Sequence, residues 1–213
     1  MANNELLNKL KKIHKLKKED IEAAFKKIAK EIFNNYLLKI KDNKYRITEI
    51  EFYYYDKCIH PDPYVHRDNR QQSCGEWYFH RYKESDKLKV GNYKGLDITF
   101  GNNSSFGGIL IRAIEKQNEE NDYTEGPCKV VNCILEIEKD DNEKYKQLVK
   151  EIEKTDIFEN NKINKKISLI YLSYSEKKND IVYKCPRKGL SIKSNLSSNW
   201  EKYIMKPYRY LLY

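Results

Sequence analysis

Two carboxylates offer the chain's first chemistry. Glu49 and Glu51 lie two apart in Tyr45-Arg46-Ile47-Thr48-Glu49-Ile50-Glu51-Phe52-Tyr53, where β-branched and aromatic residues alternate as in a strand. That spacing puts both side chains on one face. A carboxylate rising from a largely apolar strand is costly to bury without a partner or a task. It is suited to holding and deprotonating a water, as a general base. The pattern alone favours a plainer reading, two solvent-exposed glutamates on an edge strand. A second cluster suggests metal: Cys58, His60, His66 and Cys74 are zinc-ligand types, although their spacing is not one of the familiar zinc patterns.

The elements that must position these residues are legible from periodicity. Leu6, Leu7, Leu10 and Ile13 recur at helical spacing with lysines between them, so residues 1–19 read as a helical extension with a solvated face. Residues 18–33 form a clearer helix, with Ile21, Phe25, Ile28, Ala29 and Ile32 as its stripe and Asp20 serving its first turn. Strands are predicted at 36–40, 45–53, 76–82, 96–100 and 108–114, the first pair joined by an Asp42-Asn43-Lys44 turn. A long polar loop with prolines, 60–72, interrupts them, and such a loop inside a domain is more often functional than not. After an acidic, Asn-rich loop at 117–127, a helix is expected at 142–154 and strands at 167–174, 181–183 and 208–213. The sum is an α+β chain: one domain over 20–213, with a curved, mainly antiparallel sheet flanked by helices.

The net charge is +9, which favours a polyanionic partner, although Lys and Asn are abundant throughout and many lysines simply solvate the surface. Eighteen tyrosines sharpen the suggestion, since aromatic faces stack on bases while Lys and Arg hold phosphates. No run approaches 18 apolar residues, so no membrane partner is expected. The first residues lack the apolar core of a signal peptide, so the expected location is inside the cell, in the cytoplasm. Five cysteines, an odd number without CxxC spacing, argue for reduced thiols.

Several segments, in order, resemble the alkyladenine (3-methyladenine) DNA glycosylase family. Ile28-Ala29-Lys30-Glu31-Ile32-Phe33 is similar to its L-A-R-x-L-L helix, and Ile47-Thr48-Glu49-Ile50-Glu51-Phe52-Tyr53 to its I-V-E-T-E-A-Y strand. Trp77-Tyr78-Phe79-His80 resembles L-Y-V-Y, and Gly107-Gly108-Ile109-Leu110-Ile111-Arg112-Ala113-Ile114-Glu115 resembles A-V-L-I-R-A-x-E. Pro186-Arg187-Lys188-Gly189-Leu190 is similar to P-R-I-G-I, and Trp200 with Lys206-Pro207-Tyr208-Arg209-Tyr210 to W…K-P-W-R-F-Y. The motifs span residues 20 to 213.

This resemblance implies the glycosylase fold and an enzyme that flips a modified base out of double-stranded DNA and hydrolyses its N-glycosidic bond. It implies a monomer that needs no cofactor or metal and associates with the bacterial-type nucleoid through DNA. Carried over, Glu51 is the general base and Arg112 holds Glu51 and its water. Tyr53 stacks on the flipped base, opposite His66 or, as the alternative, His60. His80 stands where the family has a second pocket tyrosine. Arg187 and Lys188 match a DNA-contacting segment. Residues 83–94 lengthen a hairpin that is a tight Y-G turn in the family, so the intercalating wedge is either Tyr82 or Tyr93, with Lys94 among the DNA-binding residues. Gly101 aligns with an asparagine of the pocket floor. Glycine and histidine there imply a larger, more polar pocket and a bulkier modified base, such as a glycosylated pyrimidine of phage DNA, and thus antiviral defence rather than repair alone. Two other classes stay open: a non-catalytic nucleic-acid binder of the same fold, and a zinc nuclease using Cys58, His60, His66 and Cys74.

Overall fold

The computed structural model describes residues 2–83, 85–117, 122–153, 155–158, 169–175, 179–192 and 199–212, with the backbone alone for 2–4, 199 and 200. The elements in chain order begin with α1 (Ala2–Lys12), α2 (Ile21–Asn35), β1 (Tyr36–Ile40), β2 (Asn43–Asp56), β3 (His60–Pro61) and β4 (Cys74–Phe79). Then come β5 (Leu96–Phe100), β6 (Ser105–Lys116), β7 (Tyr123–Glu125), α3 (Pro127–Leu135) and α4 (Asn142–Ile152). The last are β8 (Ile170–Tyr174), β9 (Val182–Cys185), α5 (Asn199–Ile204) and β10 (Arg209–Leu212). Among the described residues the strands form one sheet, ordered β4-β5-β6-β2-β1-β8, and every named strand pair is antiparallel. The α+β class expected from sequence is therefore observed.

β2 is the spine of the sheet. β6 takes one whole edge of it, and β1, β10 and β3 share the other in succession. Alternation then divides its side chains between two faces. Ile50, Phe52 and Tyr54 are fully buried, and Phe52 stacks on Phe25 of α2 with ring centroids 4.4 Å apart. Glu49, Glu51, Tyr53 and Tyr55 occupy the opposite face. The glutamates are thus on a central strand, not on the exposed edge that the pattern alone favoured.

The expectation of a helical extension over residues 1–19 meets a helix, α1, that packs on the rest of the fold. Leu6, Leu10 and Ile13 are completely buried in the same core as Ile21, Phe25 and Ile32. The Leu7 side chain fits where Gly75 lacks a Cβ (φ +84°), and Lys9 bridges Glu5 and the buried Glu31 of α2. The lysines that suggested a solvated helix cover the outside of a helix whose leucines are needed inside. α3 was also unexpected. Gly126 at φ +108° turns the chain, Pro127 starts the helix with its preset φ, and Val130, Val131 and Ile134 bury one side.

Smaller differences follow from local geometry. The strand expected at 76–82 ends at Phe79, and the C-terminal strand begins at Arg209. Residues 118–121, 154, 167, 168 and 213, which fall within predicted elements, lie outside the described residues, as does residue 84 of the lengthened hairpin. All five cysteines are free thiols. Among the described residues no helix is long and apolar enough to cross a membrane.

Because α1 belongs to the core, Leu10→Ala should destabilise the protein by about 2–5 kcal/mol, the usual cost of such a truncation at a buried site. Urea denaturation measures this. A change below about 0.5 kcal/mol would mean that the helix is detachable.

Candidate active site

The site lies on the second face of β2, and its charges come in opposed pairs. Glu51 is fully buried and Glu49 nearly so. Arg112 Nε donates to Glu49 Oε1 at 3.0 Å and lies 3.4 Å from Glu51 Oε1, and Arg209 Nη1 donates to Glu49 Oε1 at 3.0 Å. The β2–β6 ladder slips at Glu49, leaving Thr48 and Arg112 without paired partners at this irregularity. Arg112 thus serves both carboxylates and is closer to Glu49. Glu51 has two further donors: the Lys188 backbone N–H to Oε1 at 2.7 Å and the Tyr53 hydroxyl to Oε2 at 2.8 Å. Burial, followed by the Glu51 charge, pushes the Tyr53 phenol well above its ordinary pKa, so Tyr53 stays protonated and donating.

Beside this cluster is a cavity of about 150 Å³ lined by Tyr53, Tyr64, His66, Gln71, His80, Asp97 and Leu190. Its floor follows from strand register. Tyr53 on β2 and Thr99 on β5 both pair with Gly108 of β6, so the place between them has no side chain. Asp97 and Gln71 lean over this gap: a Cβ on Gly108 would come within 2.4 Å of Asp97 Oδ2 and 2.9 Å of Gln71 Nε2. His66 also lines a larger groove, about 690 Å³, bordered by Tyr55, Arg67, Arg70, Tyr82, Lys83 and Phe106 among others.

The proline-containing loop brings His66 to the cavity. Arg67 adopts φ +57°, a strained turn for a non-glycine residue, and its guanidinium lies 4.9 Å from the Tyr55 ring centroid. Asp68 then caps the short helix Asn69–Gln72 by accepting from the Arg70 N–H, while Gln71 Oε1 accepts from the Asp68 N–H. The lengthened hairpin supplies Lys89. Its chain returns at His80, with the Lys89 N–H on His80 O at 2.8 Å, and Lys89 Nζ reaches His66 Nε2 at 2.9 Å. An ammonium only donates, so His66 accepts there and carries its own proton on Nδ1. Burial, with the nearby His80 and Lys89, holds His66 down at about 4.

The structure therefore brings Glu51, Arg112, Tyr53, His66 and His80 to one place and sends other expected residues elsewhere. His60 is buried in the core, with Nδ1 at 2.8 Å from Tyr54 O and Nε2 at 2.9 Å from the Tyr208 hydroxyl, so it does not reach the cavity. Gly101 does not enlarge the cavity. It packs so closely on the Gln71 carbonyl that a Cβ would meet that oxygen at 2.0 Å, and its glycine is a packing requirement. Arg187 is not a surface contact: its side chain is fully buried, paired with the equally buried Asp62 at 2.8 Å, and 4.6 Å from the Tyr53 ring centroid. Lys94 is also buried, with Nζ donating to Asn132 Oδ1 and Lys139 O. Lys188 is exposed and pairs with Glu125, while its backbone serves Glu51. Tyr82 and Tyr93 are both exposed, and of the two only Tyr82 borders the groove.

The zinc reading does not survive this geometry. Cys58 is exposed, His60 lies in the core, His66 faces Lys89 and Cys74 sits on β4, its thiol pushed up to about 11 by burial. Among the described residues no group of three or more His, Cys, Asp or Glu side chains is arranged to hold a metal.

No family model matches the sequence. The chain is similar to "Uncharacterized protein L759" of Acanthamoeba polyphaga mimivirus, with 34% identity over 206 residues that cover 90% of this chain and 87% of that protein. It belongs to that protein's family.

Sequence reasoning missed Asp97 and Asp62, and gave Gln71, Lys89 and Arg209 no place at the cavity or beside the carboxylates. Asp97 and Thr99 alternate with Leu96, Ile98 and Phe100 in a strand, a pattern that ordinarily marks a solvated face. Here that face looks into the site.

Arg187→Gln should cost about 3–5 kcal/mol in urea denaturation, because Asp62 would be left charged and buried. A phosphate-contacting surface arginine would cost under about 0.5 kcal/mol. The depressed His66 pKa gives a second expectation. The folded state binds that proton less readily than the unfolded chain, so its stabilising contribution is present above about pH 6.5 and lost as pH falls towards 4. The full contribution is on the order of 3 kcal/mol. Thermal melts between pH 7 and 4.5 should show the decline, and His66→Asn should flatten it.

Proposed function

We propose that the chain is a monofunctional DNA glycosylase that hydrolyses the N-glycosidic bond of a modified base in double-stranded DNA, acting as a monomer. The observation that carries this reading is a fully buried carboxylate, Glu51, fixed by two hydrogen-bond donors and the charge of Arg112 beside a base-sized, partly aromatic cavity. Those donors leave Glu51 acceptor capacity for a water. The water oxygen bonds to the sugar's anomeric carbon as the carbon–nitrogen bond breaks. Its proton passes to Glu51, and the base departs with the bonding electron pair. The carboxylate charge also favours the cationic sugar that develops.

Tyr53 would stack on one face of the flipped base, its hydroxyl tied to Glu51, while His66 and His80 bound the other side. Tyr82 is the better placed wedge, since it borders the groove that meets the cavity at His66. A cavity of about 150 Å³ fits a heterocycle, whereas a pendant sugar would have to lie in that groove. With Gly101 outside the lining, the case for a bulky base rests on the groove alone. The net charge of +9 supports a polyanionic partner.

The test is a panel of duplexes carrying alkylated purines, hypoxanthine or glucosylated 5-hydroxymethylcytosine, incubated with wild type and Glu51→Gln. Wild type is expected to leave abasic sites on at least one duplex, and Glu51→Gln to slow single-turnover excision by about 10²–10⁴-fold while binding persists. An unchanged rate in the variant would remove Glu51 from the chemistry. Binding without abasic sites from wild type would make the chain a non-catalytic binder.

A further inference from the structure

Glu51 is not the only carboxylate on this face. Asp97 is buried to 1% exposure, lines the cavity, and lies in the same cross-strand row as Glu51: Glu51 pairs with Leu110, which pairs with Asp97. Two strand spacings separate them, roughly 10 Å between backbones. They therefore stand on either side of the space above Leu110 and Gly108.

Their surroundings differ. Glu51 has an arginine in contact, whereas the partners of Asp97 are an imidazole and an amide: His80 Nε2 lies 2.8 Å from Oδ1, and Gln71 Nε2 makes a long bond to Oδ2 at 3.4 Å. Lys89 is drawn to Asp97 electrostatically but makes its contact with His66. Gln71 is itself positioned by the Asp68 cap, its Oε1 accepting from the Asp68 N–H. A carboxylate with about four acceptor sites thus has two occupied, and it is itself buried at the wall of the cavity. Its remaining capacity points to a ligand that donates.

We propose that Asp97 is the specificity-determining acceptor of this cavity and selects bases carrying an exocyclic amine over their oxo counterparts. This rests on the glycosylase reading for the identity of the ligand as a DNA base. A 4-amino pyrimidine or 6-amino purine edge places an N–H donor on Oδ2, while an oxo group would set one oxygen against another. Modified cytosines therefore fit, and their uracil analogues do not. Asp97 takes no part in breaking the bond.

Matched duplexes carrying cytosine or uracil, 5-hydroxymethylcytosine or 5-hydroxymethyluracil, and adenine or hypoxanthine test this. Single-turnover excision is measured with wild type and Asp97→Asn. Equilibrium binding of the same duplexes is measured for these proteins and for each in the Glu51→Gln background. Wild type should prefer the amino member of a pair by roughly tenfold or more. Asp97→Asn, whose amide can donate, should erase or reverse that preference. Asp97→Asn is close to isosteric, and a thermal melting curve like that of wild type guards against a general loss of structure. A preference unchanged within about twofold in Asp97→Asn, or an oxo preference in wild type, overturns the proposal. Excision that ignores Asp97 leaves the glycosylase reading standing alone. Discriminating binding without excision does the opposite, and neither excision nor discrimination sinks both.

Discussion

Glu49 and Glu51 carry two negative charges into a place where an isolated carboxylate would cost several kcal/mol to hold. Arg112 from β6 and Arg209 from β10 make that burial tolerable, and they approach from opposite edges of β2. The charge balance therefore requires β2 to be central and both neighbours to be in register. A strand that slipped by one residue would turn the glutamates towards Phe25 and the phenylalanine towards the arginines. Register and electrostatics enforce the same arrangement.

The two faces of β2 divide the work. Ile50, Phe52 and Tyr54 bind the helical layer and supply stability without chemistry. Glu49, Glu51 and Tyr53 face a layer made of loops, where Asp62 and Arg187 form an ion pair with neither side chain exposed. That pair holds the loop after β3 against the turn after β9. Through Tyr53 and the Lys188 N–H it also fixes the surroundings of Glu51. A site built from loops is rigid here because its fasteners are charges that cannot be parted cheaply in a dry interior.

Much of the frame was legible in the sequence. The α2 stripe, the β1–β2 turn and the alternation through Tyr53 gave the central elements, because each is a local pattern with a single good solution. Glu51, Tyr53, Arg112, His66 and His80 could be singled out by their order within the resemblance, and the fold gathers them. What could not be read depends on distant packing. Arg187 and Lys94 look like surface cations in sequence, and only the partners 125 and 38 positions away, Asp62 and Asn132, show that they are internal. His60 and His66 belong to one loop and are chemically alike, yet one is captured by Tyr208 and the other by Lys89. Asp97 resembled the polar half of an ordinary amphipathic strand, because alternation reports which residues share a face and not what lies against it.

The placement of β10 has a further consequence, in time rather than in space. Arg209 belongs to a strand that closes the edge of β2 beside Glu49 and Glu51, roughly 160 positions earlier. During synthesis, β2 emerges long before the arginine that neutralises it. The nascent sheet must keep its two glutamates wet, with that edge of β2 open to solvent, until β10 docks. Assembly of the site thus waits for β10, and a chain stopped short of Arg209 would retain the core residues of α1, α2 and β1 without a settled place for its carboxylates.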